Sequence, residues 1–196
     1  MKKVAVLISG RGSNLSALIA AQDASYRIIL VISNVEGAGG LDHAAAAGIA
    51  TRVITHGGKT REVFDGELDA ALRAAGAEIV VLAGFMRILS DGFVRGWEGH
   101  LINIHPSLLP AYKGTRVHER VLAARETMSG ASVHFVVPEL DAGPVIAQAS
   151  VPVHPSDTPE VLAARILAVE HKLYPEALKL LASAQVALKH GLAVFS

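Results

Sequence analysis

An amide and an imidazole lie close together in Asn103-Ile104-His105-Pro106-Ser107-Leu108-Leu109-Pro110, and a carboxylate follows in Leu140-Asp141-Ala142-Gly143-Pro144. When a nucleophile attacks an acyl carbon, negative charge collects on the carbonyl oxygen. Fixed N–H donors stabilise that charge, and losing one of them typically costs about 100- to 1000-fold in rate. Asn103 and His105 can each supply such a donor. Asp141 can carry a proton, directly or through water, and can hold the imidazole in its charged form. Pro106 and Pro110 fix φ at two points of the loop that aims the ring. The chain has no cysteine, so neither a thiol nucleophile nor a thiolate zinc site is available. Ser107 lacks the G-x-S-x-G elbow that activates a serine. The set therefore suits an oxyanion and a mobile proton, with the attacking group brought by a substrate. Taken singly, the same residues have ordinary uses. Asn103 can satisfy backbone groups at a strand end, His105 can be a loop histidine, and Asp141 lies in a good turn sequence.

A second candidate is Ser9-Gly10-Arg11-Gly12-Ser13-Asn14-Leu15. Backbone N–H groups at a helix start, with glycines that let a ligand approach, make an anion site. The third glycine of a dinucleotide fingerprint would fall at Leu15, Ser33-Asn34 stand where an acidic ribose ligand belongs, and no G-K-[ST] follows. A single phosphate monoester fits this loop, and so does a tight turn with a helix cap. No metal site is expected: His100 and His105 straddle a strand and face differently. His134 alternates with Val133 and Phe135, which leaves its direction open. His118 and His171 fall on predicted helices. Phe85 and Met86 fit either a flat cleft or the core.

These residues need a scaffold, and the apolar pattern supplies one. Val4–Ile8 is a continuous apolar run ending in glycines, the mark of a parallel strand buried on both faces. A helix over 15–21 follows, with Ser13 or Asn14 as its cap. Further strands are expected over 26–33, 51–54, 78–83 and 101–104. Helices are expected over 41–47, ended by Gly48, and over 60–75, ended by Gly76, with a short one from Asp91. This alternation predicts a doubly wound, mostly parallel α/β sheet with ligands outside the carboxyl ends of its strands. Two strands, 131–137 and 144–153, pair antiparallel at an edge. A long C-terminal helix runs from Thr158-Pro159-Glu160 to about Leu181, bent near Pro175. The 196 residues, 51% hydrophobic, read as one domain over 1–196. The 18 basic and 18 acidic residues balance, which gives no pull toward nucleic acid or anionic membranes. No run reaches membrane-span length and the N-terminal apolar run is too short for a signal segment, so a soluble, cytoplasmic protein is expected.

Five motifs in order carry a resemblance: Ile8 to Leu15, Leu82-Ala83-Gly84-Phe85-Met86-Arg87-Ile88-Leu89, Ile102 to Pro110, Ser132-Val133-His134-Phe135-Val136, and Leu140-Asp141-Ala142-Gly143-Pro144-Val145-Ile146. From Val4 to about Leu181 the chain resembles the phosphoribosylglycinamide formyltransferases, a family of folate-dependent enzymes of purine synthesis. The resemblance implies formyl transfer from 10-formyltetrahydrofolate, as co-substrate, to the amine of glycinamide ribonucleotide, without a metal. Asn103, His105 and Asp141 match the family's catalytic positions. Gly12, Ser13 and Asn14 match its ribonucleotide phosphate loop, and Glu170 matches a residue touching that substrate. Arg61, Met86, Arg87, Ile88, Leu89 and Asn103 match folate positions. Ser132 and the backbone from Val136 to Asp141 match the wall of the site. The implied partners are small molecules, and the implied assembly is a monomer or homodimer.

Two departures stand out. Val117 replaces a threonine usual before His118, and Arg125 replaces a usual glycine, which bears on how segment 111–130 closes the site. The nearest rival is a formyltetrahydrofolate hydrolase using the same trio with water as acceptor, expected to carry a regulatory domain and no Gly-Ser-Asn loop. A methionyl-tRNA formyltransferase is expected to need a second, basic domain. A non-catalytic folate- or nucleotide-binding module is a rival of another class, against which the intact trio argues.

Overall fold

A computed structural model describes residues 1–196. Its elements are β1 (Lys2–Ile8), α1 (Ser13–Ala20), β2 (Tyr26–Ser33), α2 (Gly40–Ala46), β3 (Ala50–Val53), α3 (Arg61–Ala74), β4 (Ile79–Leu82), α4 (Asp91–Gly96), β5 (Leu101–His105), α5 (Val117–Ala123), β6 (Met128–Phe135), β7 (Val145–Pro152), α6 (Pro159–Ala182), β8 (Val186–Lys189) and β9 (Leu192–Phe195). Seven strands form one sheet in the order β3-β2-β1-β4-β5-β6-β7. The first five run parallel, while β6 joins β5, and β7 joins β6, antiparallel. The strand order reverses between β1 and β4, so the loops leaving these two strands flank the crevice where doubly wound sheets bind ligands.

Burial explains the unbroken apolar strands. Val4, Val6 and Ile8 pack into the larger core with α1 and α6, whereas Ala5 and Leu7 pack into the smaller core with α3 and α4. Ile79 and Val81 against Val80 and Leu82 repeat the division on β4. Helix α6 buries Leu162, Ile166, Glu170, Leu173, Tyr174, Ala177, Leu178 and Leu181, the three-and-four spacing of a core-facing stripe. Tyr174 sends its hydroxyl between the Leu82 carbonyl at 2.9 Å and the Ile102 carbonyl at 3.2 Å. This pins the helix under β4 and β5. Thr158 caps α6 through the Val161 N–H, and the helix continues through Pro175.

Two expectations need correction, and one element goes unanticipated. Neither Ser13 nor Asn14 caps α1: the cap position is Gly12 in the left-handed region (φ 77°), and both polar residues belong to the first helical turn. Strand β6 begins at Met128 rather than 131, because its pairing with β7 extends to Met128↔Pro152. The antiparallel β8–β9 hairpin after α6 is not foreshadowed by the apolar pattern; its strands have four residues each and bury little beyond Val186, so period-two alternation is barely present.

Both departures have a physical setting. Val117 is 4% exposed within the larger core, where a methyl in place of a hydroxyl leaves nothing unpaired. Arg125 has φ 54°, the region where glycine costs least and other residues are strained by about 1–2 kcal/mol.

Candidate active site

Asn103 and His105 project from the C-terminal end of β5 on the face opposite Ile102 and Ile104, which belong to the larger core. Their cross-strand partners on β6 are His134 and Ser132. The pleat therefore gathers four polar side chains on one face, and the open direction of His134 resolves toward the site. A register irregularity between Val133 and His134 interrupts the β6–β7 ladder at this point, a device that re-aims side chains beside functional sites.

Asp141 reaches the same place by a tight return of the chain. Gly143 lies so close to β6 that a Cβ would meet the Phe135 carbonyl oxygen, so glycine alone fits, and the Pro144 carbonyl accepts the Phe135 N–H at 3.0 Å. Asp141 itself adopts φ 48° and is 9% exposed. Its Oδ2 lies 3.4 Å from His105 Nδ1 and its Oδ1 3.8 Å from His134 Nε2. The same Oδ2 accepts the Gly114 N–H at 2.9 Å.

The hydrogen bonds assign roles to the two histidines. His105 Nε2 faces the Tyr112 carbonyl at 2.9 Å while Nδ1 faces the Asp141 carboxylate. Both ring nitrogens meet acceptors, and a doubly protonated imidazolium satisfies both. His134 Nδ1 faces the Phe135 carbonyl at 2.8 Å, so that nitrogen carries a proton; Nε2 then accepts from Asn103 Nδ2 at 3.3 Å. Burial pushes the His134 pKa down, which fits a neutral ring whose lone pair orients the amide. Sequence reasoning leaves His134 without a functional role. Its side is fixed by pairing with β5, where it faces Asn103, and neither neighbour's burial marks it in the sequence.

Ser132 is fully buried. It accepts from the Leu109 N–H at 3.0 Å and from Gln148 Nε2 at 2.8 Å, and donates to the Ser107 carbonyl at 2.6 Å. Its hydroxyl thus shapes the site by holding the 105–110 loop rather than by facing a ligand. Segment 111–116 lies across the trio, contributing the Tyr112 carbonyl and the Gly114 N–H already described.

The glycine loop is shaped by close backbone approach. A Cβ on Gly12 would stand 2.5 Å from Gly40 Cα, and Gly40 N–H donates to the Gly10 carbonyl at 3.0 Å. The first turn of α1 therefore starts against the first turn of α2. The N–H groups of Ser13 and Asn14 have no intrahelical acceptor available, as anion binding requires. Asn14 Nδ2 donates to Glu170 Oε2 at 2.8 Å, joining two predicted ribonucleotide residues across 156 positions of sequence. Glu170 is 7% exposed, and burial raises its pKa against the lowering effect of Asn14.

The loop after β4 presents Met86 and Ile88 at 77% and 59% exposure, unusual for large apolar side chains and suited to a flat ligand. Leu89 is buried in the smaller core, so a ligand reaches only its backbone. Arg87 stacks its guanidinium 5.9 Å from the Phe64 ring centre. Arg61 opens α3 and lines a groove of about 670 Å³ with Asp65, Asp69, Ser90 and Phe93. Neither the catalytic trio nor the glycine loop lines that groove; the convergent polar groups are at the strand ends instead. No group of three His, Asp or Glu side chains is placed to hold a metal ion.

Known proteins resemble the chain in sequence and in fold. Residues 2–178 match the family model described as formyl transferase. The phosphoribosylglycinamide formyltransferase of Escherichia coli (strain K12) is 47% identical over 176 residues, 88% of this chain and 83% of that protein. The trifunctional purine biosynthetic protein adenosine-3 of Bos taurus is 52% identical over 190 residues, 95% of this chain; the chain spans only 19% of that protein's length. Among solved structures, the phosphoribosylglycinamide formyltransferase from Anaplasma phagocytophilum superposes with a TM-score of 0.93 at 45% identity, covering 100% of this chain and 94% of that one. The one from Coxiella burnetii gives 0.94 at 44% identity, covering 99% and 93%.

Proposed function

The chain belongs to the formyl transferase family, and from that premise and the geometry of its site we propose that it transfers a formyl group from 10-formyltetrahydrofolate to the primary amine of glycinamide ribonucleotide, a step of purine biosynthesis. The observation that carries the reading is the convergence of Asn103, His105 and Asp141 at the end of β5, with His105 held between the Asp141 carboxylate and the Tyr112 carbonyl.

The chemistry follows from the groups present. The amine nitrogen attacks the formyl carbon, and the carbonyl oxygen takes the electron pair. The second N–H of Asn103, left over after its bond to His134, donates to that oxygen. So does His105 Nε2, exchanging its contact with the Tyr112 carbonyl for the oxyanion. Such donors act where charge exists only in the transition state. Asp141 keeps the imidazole charged and takes the proton that the attacking amine sheds. As the tetrahedral centre collapses, the bond to the folate nitrogen breaks and Asp141 returns the proton it took to that nitrogen, directly or through water. The ribonucleotide phosphate sits on Gly12, Ser13 and Asn14, with Glu170, bonded to Asn14, touching the same substrate. The folate lies along Arg61 and 86–89, against Met86 and Ile88.

The test is a single assay of the purified protein with both substrates, following formylated ribonucleotide and free formate separately. Formylated product with little formate is the expected result. Formate release independent of the ribonucleotide would instead make the protein a hydrolase of the formylated folate. Saturable binding of both ligands without turnover would make it a binding module.

A further inference from the structure

Ser9 directly follows β1 and belongs to neither group of substrate-contacting residues, yet it joins its own loop to two others. Its Oγ accepts the Met86 backbone N–H at 2.8 Å and donates its proton to Asn34 Oδ1 at 2.6 Å. Its own N–H donates to the Gly84 carbonyl at 3.2 Å. Asn34, 4% exposed, extends the chain of bonds through Nδ2 to His56 Nδ1 at 3.3 Å. One hydroxyl therefore ties the loop after β1 to the loops after β2 and β4, at the reversal in strand order.

Two further features give this tie a consequence. Ser9 directly precedes Gly10, whose carbonyl is fixed by the Gly40 N–H, so the residue carrying the hydroxyl shares one restrained backbone with the glycine loop. On the other side, Met86 is largely exposed, and water can replace Ser9 as the partner of its N–H. The Ser9–Met86 bond is thus easily exchanged. Its net worth corresponds to about a 2- to 10-fold change in an equilibrium constant.

We propose that Ser9 is a positioning residue that couples the two substrate subsites: occupancy of the glycine loop sets its hydroxyl, which sets the Met86 N–H and with it the exposed face of the 84–89 loop. The proposal rests on the substrate reading above. Linkage makes the effect reciprocal, so each ligand tightens the other by the same factor. Because Ser9 acts through Met86 and touches no reacting atom, its loss uncouples binding instead of abolishing it.

The test compares wild type, Ser9→Ala and Ser9→Thr by amide hydrogen exchange and by equilibrium binding of a deazafolate without a transferable formyl group, with and without glycinamide ribonucleotide. In wild type the ribonucleotide should slow exchange at the Met86 N–H and tighten the deazafolate by about 5-fold. In Ser9→Ala both ligands should still bind, the Met86 amide should exchange freely, and the tightening should fall below about 2-fold. Ser9→Thr, which keeps the hydroxyl, should restore both effects. Equal tightening in wild type and Ser9→Ala overturns the proposal, as does its absence from wild type that binds both ligands. If wild type binds neither ligand, the substrate reading fails instead. The coupling is then read with inorganic phosphate, and a Met86 amide that does not respond to it overturns the proposal too.

Discussion

The amide nitrogen of Asn103 lies 3.3 Å from Nε2 of His134 across the β5–β6 ladder, and the opposite nitrogen of that ring is committed to the Phe135 carbonyl at 2.8 Å. An asparagine amide has no intrinsic preference for either of its two orientations. A neutral histidine with its proton on Nδ1 chooses one, because its free lone pair accepts N–H and repels carbonyl oxygen. The donor role proposed for Asn103 is thus prepared by a neighbour that need not touch the substrate.

This arrangement predicts a specific pattern of non-additivity. Asn103→Ala should lower turnover at least ~100-fold with modest change in substrate binding. His134→Phe fills similar space without the acceptor and should cost about 10-fold, since the amide still samples the productive orientation. The double variant should be no slower than Asn103→Ala alone. Multiplicative losses in the steady-state turnover of the three enzymes would show that His134 acts by another route.

Two buried titratable groups make stability depend on pH in opposite directions. The His134 pKa is lowered by burial from 6.5. In the window between that value and the lower folded one, the unfolded chain binds more protons. Its contribution is complete above about 6.5 and is lost as the pH falls toward the folded pKa. The Glu170 pKa is raised by burial from 4.5. Its contribution is complete below about 4.5 and is lost as the pH rises through the folded pKa. Glu170→Gln should therefore gain stability at pH 7, by about 1 kcal/mol or 2–4 °C in Tm, while weakening ribonucleotide binding. His134→Phe should flatten the acid side of the stability profile. Denaturant melts from pH 4 to 8 give both curves, and a Glu170→Gln protein less stable than wild type at pH 7 would contradict the assignment.

The two glycines of the first loop should separate packing from ligand contact. Gly12 has φ 77° and no room for a Cβ against Gly40, whereas a methyl group added at Gly10 would meet nothing within 4 Å, and Gly10 has no positive φ. Gly12→Ala should lose about 1–3 kcal/mol of stability. Gly10→Ala should keep wild-type Tm and raise the KM for the ribonucleotide while leaving that for the folate near normal. An unchanged ribonucleotide KM in Gly10→Ala would mean that the phosphate does not approach this side of the loop.

The parallel strands are legible in the sequence because Val4 to Ile8 and Ile79 to Leu82 are apolar on both faces, and α3 and α6 are legible because Thr60 and Thr158 cap them. Asn103 and His105 fall on one face by their spacing alone. The direction of His134 does not follow in the same way, because Val133, His134 and Phe135 are all buried and the phase is set by pairing with β5. The bonds of Ser9 and the closure of Tyr112 and Gly114 over the trio escape for a related reason: they use backbone groups from segments remote in sequence, which no side-chain pattern encodes. Gly143 is the instructive middle case. Its Asp-Ala-Gly-Pro setting reads as a turn, yet its function is to let Asp141 come down onto β6.

Asp141 offers the most direct separation of fold from chemistry. It sits at φ 48° with Oδ2 on the Gly114 N–H and 3.4 Å from His105 Nδ1. Asparagine tolerates that left-handed backbone better than most residues and keeps an acceptor for Gly114. Asp141→Asn should therefore fold, with a loss of thermal stability of about 1–2 kcal/mol at most, and should bind both substrates. What it lacks is the negative charge beside His105 and the basic oxygen that the proposed mechanism uses to receive the amine proton. Turnover should fall at least ~100-fold at every pH at which the variant is folded. The discriminating measurement is the full pH–rate profile of the folded variant. Wild-type turnover across the acidic range would reduce Asp141 to a turn residue that happens to lie beside a histidine.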